Sequence, residues 1–310
     1  ISQIWECDSQ TMWVGGGNRS AKTDTLLALL TLAWGINWPM MKLAIAEIPV
    51  WTFRAACTLS GAAGLFLIAR LNRLSLRVPA GQWRRLCLIS LLNMTLWNVL
   101  IAYGLKLLPA GRSVILAYSF PLWVVLLSAW LLHEKLTRRR IAGVALGMAG
   151  MALLIGGSFH SVQAAPLGAL LVIGAAISWA LGTVLMRRFP VNLGTTALTA
   201  WQLLVGSLPI AAGALMIDRG SWHPISPGAT MGLVYNMLLV SIFCYWAWFR
   251  IAASAPAGIA ALSTLMIPIV GVFSSSLMLG EIPAWSDYAA LVLVIAALAT
   301  VLVPRKPPAA

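Results

Sequence analysis

The chain has 310 residues, of which 60% are hydrophobic and only 9% charged, against about 25% charged residues in an ordinary soluble domain. So little charge cannot clothe a water-facing surface, which excludes a soluble globular protein and places the chain in lipid. The formal net charge of +13 does not indicate nucleic acid, because the Lys and Arg residues fall in short clusters between apolar runs instead of along one amphipathic face.

Residues 1–20 carry the run Gly15-Gly16-Gly17 and no apolar stretch of signal-peptide length, so they read as a leader or disordered tail. A helix needs about 20 apolar residues to cross the hydrocarbon. Such runs lie near 25–44, 50–69, 85–106, 111–132, 140–157, 167–186, 195–216, 229–250, 257–279 and 285–303. The expected fold is therefore an all-α membrane protein of ten transmembrane helices. Turn chemistry separates the runs at Glu47-Ile48-Pro49, Pro79-Ala80-Gly81, Phe189-Pro190, Pro224 to Gly228 and Ile282-Pro283. Pro39, Pro121, Pro209 and Pro268 fall inside spans, where each removes a backbone donor and is a candidate kink or hinge. In the fifth span Gly143, Gly147 and Gly150 permit close helix packing, within the chain or between subunits.

Pro109-Ala110-Gly111, Pro121 and Glu134 recur as Pro256-Ala257-Gly258, Pro268 and Glu281, at one constant offset. That constancy predicts a duplicated five-helix unit, with a first repeat over 21–157 and a second over 158–310. Five is odd, so the second copy enters the membrane the opposite way and the repeats are inverted. With the N-terminus inside, the outer turns hold only Lys42, Lys106, Arg112 and Arg219, and Arg54 lies in the second span. All other Lys and Arg residues fall on the inner side, which predicts cytoplasmic N- and C-termini. Equivalent turns differ as inversion requires: Glu134-Lys135 leads into Arg138-Arg139-Arg140, whereas Glu281-Ile282-Pro283 has no positive neighbour.

All eight carboxylates, Glu6, Asp8, Asp24, Glu47, Glu134, Asp218, Glu281 and Asp287, fall at or beyond span ends, and His133, His160 and His223 lie in loops. Ion-coupled carriers place such groups within the membrane, so uncoupled transport is expected. Paired carboxylates, a metal-spaced cluster, a Ser/His/Asp set and a Walker A sequence are all missing. The chain reads as no enzyme, with no cofactor, no metal and no obligatory protein partner. Cys57, Cys87 and Cys244 sit in apolar runs and read as packed thiols, as does Cys7 outside them.

Inverted repeats enclose a midplane cavity, and polar or aromatic side chains at span centres should line it. The candidate substrate-binding residues are Trp34, Asn93, Trp97, Asn98, Tyr118, Trp179 and Trp201, with Tyr103, Ser119, Gln202, Tyr235, Asn236, Tyr245, Ser263 and Thr264 behind them. Trp34 and Trp179 occupy equivalent places in the repeat and should face each other across the cavity. Arg54 is a possible carboxylate ligand, but it lies within a turn of the outer end, where snorkelling or pairing with Glu47 is the plainer reading. Aromatic and amide walls without a charge cluster suit a small neutral or zwitterionic solute and disfavour sugar phosphates.

The Leu32-Ala33-Trp34-Gly35-Ile36-Asn37-Trp38-Pro39 opening of span one resembles the drug/metabolite transporter superfamily, EamA type. So does Pro121 followed by His133-Glu134-Lys135, echoed at Pro268 and Gly280-Glu281. The resemblance covers about residues 22 to 305, and within the superfamily the chain is similar to bacterial aromatic amino-acid exporters of the YddG type. It implies a multi-pass protein of the bacterial inner membrane that exports amino acids with broad specificity through a cavity between the halves. It also implies that Glu134 and Glu281 belong to structural helix-end motifs. Efflux of drugs or other small metabolites, and a non-transporting membrane scaffold, are the alternatives. The first normally wants an intramembrane Glu, and the second has little reason to bury amides.

Overall fold

The computed structural model describes residues 21–156, 165–220, 224–248 and 257–302, with side chains over 25–155, 166–220, 224–248 and 265–300. The expectations for 1–20, and for the side chains of Ser263 and Thr264, lie outside the described residues. Among the described residues the structure is all-helical. It contains α1 (Ala21–Glu47), α2 (Val50–Leu71), α3 (Trp83–Leu107), α4 (Ala110–Leu131), α5 (Arg138–Gly156), α6 (Ala165–Arg188), α7 (Thr195–Met216), α8 (Pro227–Trp248), α9 (Ala257–Leu279) and α10 (Trp285–Leu302).

Seven of these, α1 to α4 and α6 to α8, are long and apolar enough to cross a membrane, and α9 and α10 carry shorter apolar stretches. α5 opens on Arg138, Arg139 and Arg140, which dilute its first turn. Three helices depart from regular geometry. α3 contains a π-helical turn over Leu91–Leu96, and α8 a π-helical stretch over Tyr235–Cys244. α4 breaks into Ala110–Ala117 and Phe120–Leu131, with Pro121 in the first turn of the second segment. Pro39, Pro209 and Pro268 lie inside continuous helices instead, so of the four prolines Pro121 alone marks a break.

The turns after α1, α3, α7 and α9 meet at one end of the bundle, where carboxylates cap helix N-termini that lie far away in sequence. Glu47 accepts from the amide and hydroxyl of Ser226, at 2.6 Å each, ahead of α8. Asp218 accepts from the Thr52 amide at 2.7 Å in the first turn of α2. Glu281 accepts from Ala110 N at 2.7 Å and Gly111 N at 3.0 Å at the start of α4. N-terminal amides have no intrahelical acceptor and carry the positive end of the helix dipole, so carboxylates belong there. At this capped end Lys42 Nζ also donates to Leu105 O of α3 at 2.7 Å and to Leu108 O just beyond it. At the opposite, basic end Glu134 pairs with Arg140 and Arg187. α1 ends at the capped end and α6 at the basic end, so the helices that open the two copies run in opposite senses.

Two triads of helices face each other. α1 packs on α8 and α9, while α6 packs on α3 and α4; the pairs α2–α7 and α5–α10 close the flanks. Gly147 and Gly150 serve the second flank, meeting Leu122 of α4 and Ala290, Leu293 and Val294 of α10, so the glycine stripe packs within the chain. Contacts between the triads run through the first segment of α4 and the second half of α3, both near the capped end. The apolar core follows the same division. Its largest cluster gathers Met41, Ile45, Phe53, Leu105, Val114, Met151, Val172, Val272 and Leu291 from eight helices at the capped end. Toward the basic end the described residues split into smaller clusters, around Leu30 and Cys244, around Leu65 and Leu203, and around Leu86 and Leu198. Of the thiols, Cys57 and Cys244 are buried as expected, but Cys87 is exposed on the flank of α3.

Candidate functional site

The π turn of α3 is where the predicted residues gather. A turn with i→i+5 bonds shifts the helix register and re-aims the side chains beside it. Here it sets Asn93 against α6, in the room that Gly182 leaves: a Cβ on Gly182 would lie 1.8 Å from Asn93 Oδ1. Ser178 Oγ donates to Leu92 O in the same turn at 2.7 Å, and Thr95 Oγ1 donates to Gly206 O of α7 at 2.7 Å. Trp97 then rests on Trp179, with ring centroids 5.1 Å apart and planes at 54°. Asn98 is buried and returns its amide N–H to Met94 O at 2.7 Å. Asn93 is 2% exposed, and its Oδ1 has no donor. An unsatisfied buried amide oxygen costs about 1–3 kcal/mol, and the group that relieves it is an N–H or a water.

The opposing triad repeats the motif. Trp34 lies 5.8 Å from Trp248, tilted by 47°, and Tyr235 Oη donates to Ala33 O at 2.8 Å from the π-helical stretch of α8. One α1–α8 pair of indoles thus corresponds to one α3–α6 pair. Trp34 and Trp179, which were expected to face each other, each have a tryptophan of their own triad as ring neighbour. Asn37, one turn from Trp34, has a buried Oδ1 without a partner, as Asn93 does. It was not among the expected site residues, although an amide inside an apolar run is the same signal that marked Asn93.

Tyr118 sits at the break of α4, half-buried, 6.1 Å from the Phe120 ring, and Ser119 Oγ accepts from Trp123 Nε1 at 3.2 Å. Tyr118 and Trp97 pack against the same large cluster. Trp201 lies apart from the group: its Nε1 donates to Leu76 O at 2.8 Å, and its ring stands edge-on to Phe66 and Trp83 near the basic end. A crevice of about 250 Å³ at the capped end is lined by Leu107, Arg112, Val272, Glu281 and Asp287. Its charges answer one another, with Arg112 Nε 2.8 Å from Asp287 Oδ1. Among the described residues no group of three His, Cys, Asp or Glu could hold a metal ion.

An all-helical bundle with apolar spans, two facing triads, a broken helix and buried amide oxygens without donors has the build of a membrane carrier. Comparison with known proteins agrees. The profile of the EamA-like transporter family matches residues 21–156 and again 166–303. The chain belongs to that family and is a multi-pass membrane protein whose class takes small-molecule substrates. It is 30% identical over 288 residues to an uncharacterized transporter of Bacillus subtilis, YvbV, covering 90% of this chain and 91% of that one. It is 26% identical to a "Probable amino-acid metabolite efflux pump" of Salmonella typhimurium, covering 90% and 94%. The Escherichia coli protein of the same description is 24% identical, again over 90% and 94%. A solved crystal structure superposes with a TM-score of 0.62 at 20% identity, covering 89% of this chain and 97% of that one, which supports the fold.

Proposed function

We propose that the chain exports amino acids, aromatic and other neutral ones, across the bacterial inner membrane by alternating access between two inverted five-helix halves. In this reading all ten helices cross the bilayer, and the basic end with both termini is cytoplasmic, following the positive-inside rule. The observation that carries it is Asn93: a buried amide oxygen without a donor, beside the Trp97–Trp179 pair. An amide beside paired indoles suits an ammonium group and an apolar side chain. The two relatives described as amino-acid metabolite efflux pumps support the same substrate class.

The two ends also support a direction and a coupling mode. Among the described residues the contacts between the triads gather at the capped end, which supports a shape open toward the basic, cytoplasmic end. Glu47, Asp218, Glu281 and Asp287 all spend their oxygens on helix-end amides, hydroxyls or Arg112. That leaves no described carboxylate in the chamber to bind a driving ion, so flux follows the substrate gradient. Purified protein in proteoliposomes preloaded with unlabelled phenylalanine should take up labelled phenylalanine by counterflow with no ion gradient. Failure to exchange any amino acid would sink the reading, and uptake that requires a pH gradient would sink the uncoupled mechanism.

A further inference from the structure

Arg54 lies in the second turn of α2, too near the capped end to need burial, yet it is 6% exposed. It does not snorkel, and it does not find Glu47, whose two oxygens are on Ser226. Its Nη2 rests on Met41 Sδ, its guanidinium carbon stands 5.3 Å from the Phe53 ring centroid, and Nε has no acceptor. Its electrostatic neighbours are Cys57 on its own helix and Tyr245 of α8. None of these is a carboxylate. The contrast with Arg112, which has Asp287 at 2.8 Å, shows that an acid was available to this fold where a cation needed one.

A guanidinium is charged under all ordinary conditions, and burying it without a counter-charge is strongly unfavourable. The Nε–Nη2 edge is the one that grips a carboxylate side-on, with two parallel hydrogen bonds. In Arg54 one donor of that edge is idle and the other meets only a thioether, a weak acceptor that a carboxylate displaces. Asn37 precedes Met41 by four residues on α1, so the two share a face, and its orphaned Oδ1 offers an acceptor about one turn, roughly 6 Å along the axis, from the Arg54 contact. An idle donor edge and an idle acceptor at that spacing match the two ends of an amino-acid zwitterion.

We propose that Arg54 is the substrate-carboxylate anchor of the chamber, with Asn37 Oδ1 taking the ammonium group and Trp34 and Trp248 bordering the side chain. This rests on the amino-acid reading above but commits it to α1, α2 and α8. Proteoliposomes containing wild-type protein, Arg54→Met or Arg54→Lys are compared for transport of phenylalanine and of phenethylamine, which lacks the carboxylate. Wild type should favour phenylalanine. Arg54→Met should shrink that preference about ten- to a hundredfold, through KM more than kcat, as expected for loss of a charge-assisted bidentate pair. Arg54→Lys should recover part of it. An unchanged preference in Arg54→Met overturns the proposal.

If Arg54→Met does not assemble, thermal stability of the wild type decides. Stabilisation by phenylpropionate and not by phenethylamine supports the anchor, and the reverse, or stabilisation by neither, overturns it. Wild type that exchanges phenylpropionate but no amino acid would end the amino-acid reading and leave the carboxylate site standing.

Discussion

Glu281 and Glu134 hold equivalent places in the duplicated unit, each ending a turn after its fourth helix, yet the molecule uses them differently. Glu281 gives both oxygens to backbone amides, Ala110 N and Gly111 N, across the gap between the triads. Glu134 gives one to Arg187, at the end of α6 in its own triad, and the other to Arg140 of α5. The first bond joins a charge to a fixed helix dipole in a part-buried setting, a cap that contributes about 1 kcal/mol or more. The second joins long side chains that are 26–41% exposed, a kind of pair that contributes about 0–1 kcal/mol. The lesson is that sequence symmetry sets which residues can close an end, and conformation decides which end is closed. The receiving N-terminus, Pro109-Ala110-Gly111, is itself repeated as Pro256-Ala257-Gly258, so exchange of conformations between the halves would give Glu134 the same type of partner.

The most severe way to break this asymmetry is charge reversal. Glu281→Lys puts a cation on a helix N-terminus and removes the bond that spans the triads, and counterflow should fall more than about tenfold. Glu134→Lys should lower counterflow as well, because the cycle passes through the conformation in which Glu134 is the cap, but in detergent unfolding it should cost this conformation no more than about 0–1 kcal/mol, and a stability loss equal to that of Glu281→Lys would erase the distinction drawn here. A step down in size, Asp218→Ala deletes the cap on α2 and should destabilise the protein by about 1–2 kcal/mol in detergent unfolding. Arg187→Gln should stay within about 0.5 kcal/mol of wild type. Salt separates the two ends without reversing a charge. Raising ionic strength from about 0.1 to 1 M shortens the Debye length from about 10 to 3 Å, so the stability difference between Glu134→Gln and wild type should vanish, while that of Glu281→Gln persists. The smallest effect is expected at Trp201→Phe, which removes the bond to Leu76 O. It should lower stability by about 0.5–1.5 kcal/mol and leave the KM for phenylalanine within about twofold, because this indole stands apart from the Trp97–Trp179 and Trp34–Trp248 pairs.

The helical class and the repeat of landmarks were legible in the sequence because lipid permits so few solutions: an apolar run of fixed length must be a helix, and a basic turn marks one side. Asn93 and Trp97 were legible for the same reason, as a polar group at a span centre must turn inward. The partner of each tryptophan was not legible. The π segments that set the registers of α3 and α8 are defined by i→i+5 bonds and leave no compositional trace. The bond from Trp201 to Leu76 O was not legible either, because Leu76 lies in a turn far away in sequence. Arg54 was set aside because its distance from the helix end allows snorkelling. Only three-dimensional packing shows that α1 and α8 close over it and that Glu47 is engaged elsewhere.

The central claim is that the two ends open and close in opposition around an amino acid. Spin labels at Leu107 and Ile282, both bordering the capped-end crevice, and at Leu29 and Phe189, both exposed toward the basic end, report the two gaps in a cysteine-free background. Under saturating phenylalanine the account predicts that the distance distribution for 107 and 282 gains a longer population while that for 29 and 189 shortens. Distributions that stay unchanged, or that both lengthen, would contradict it.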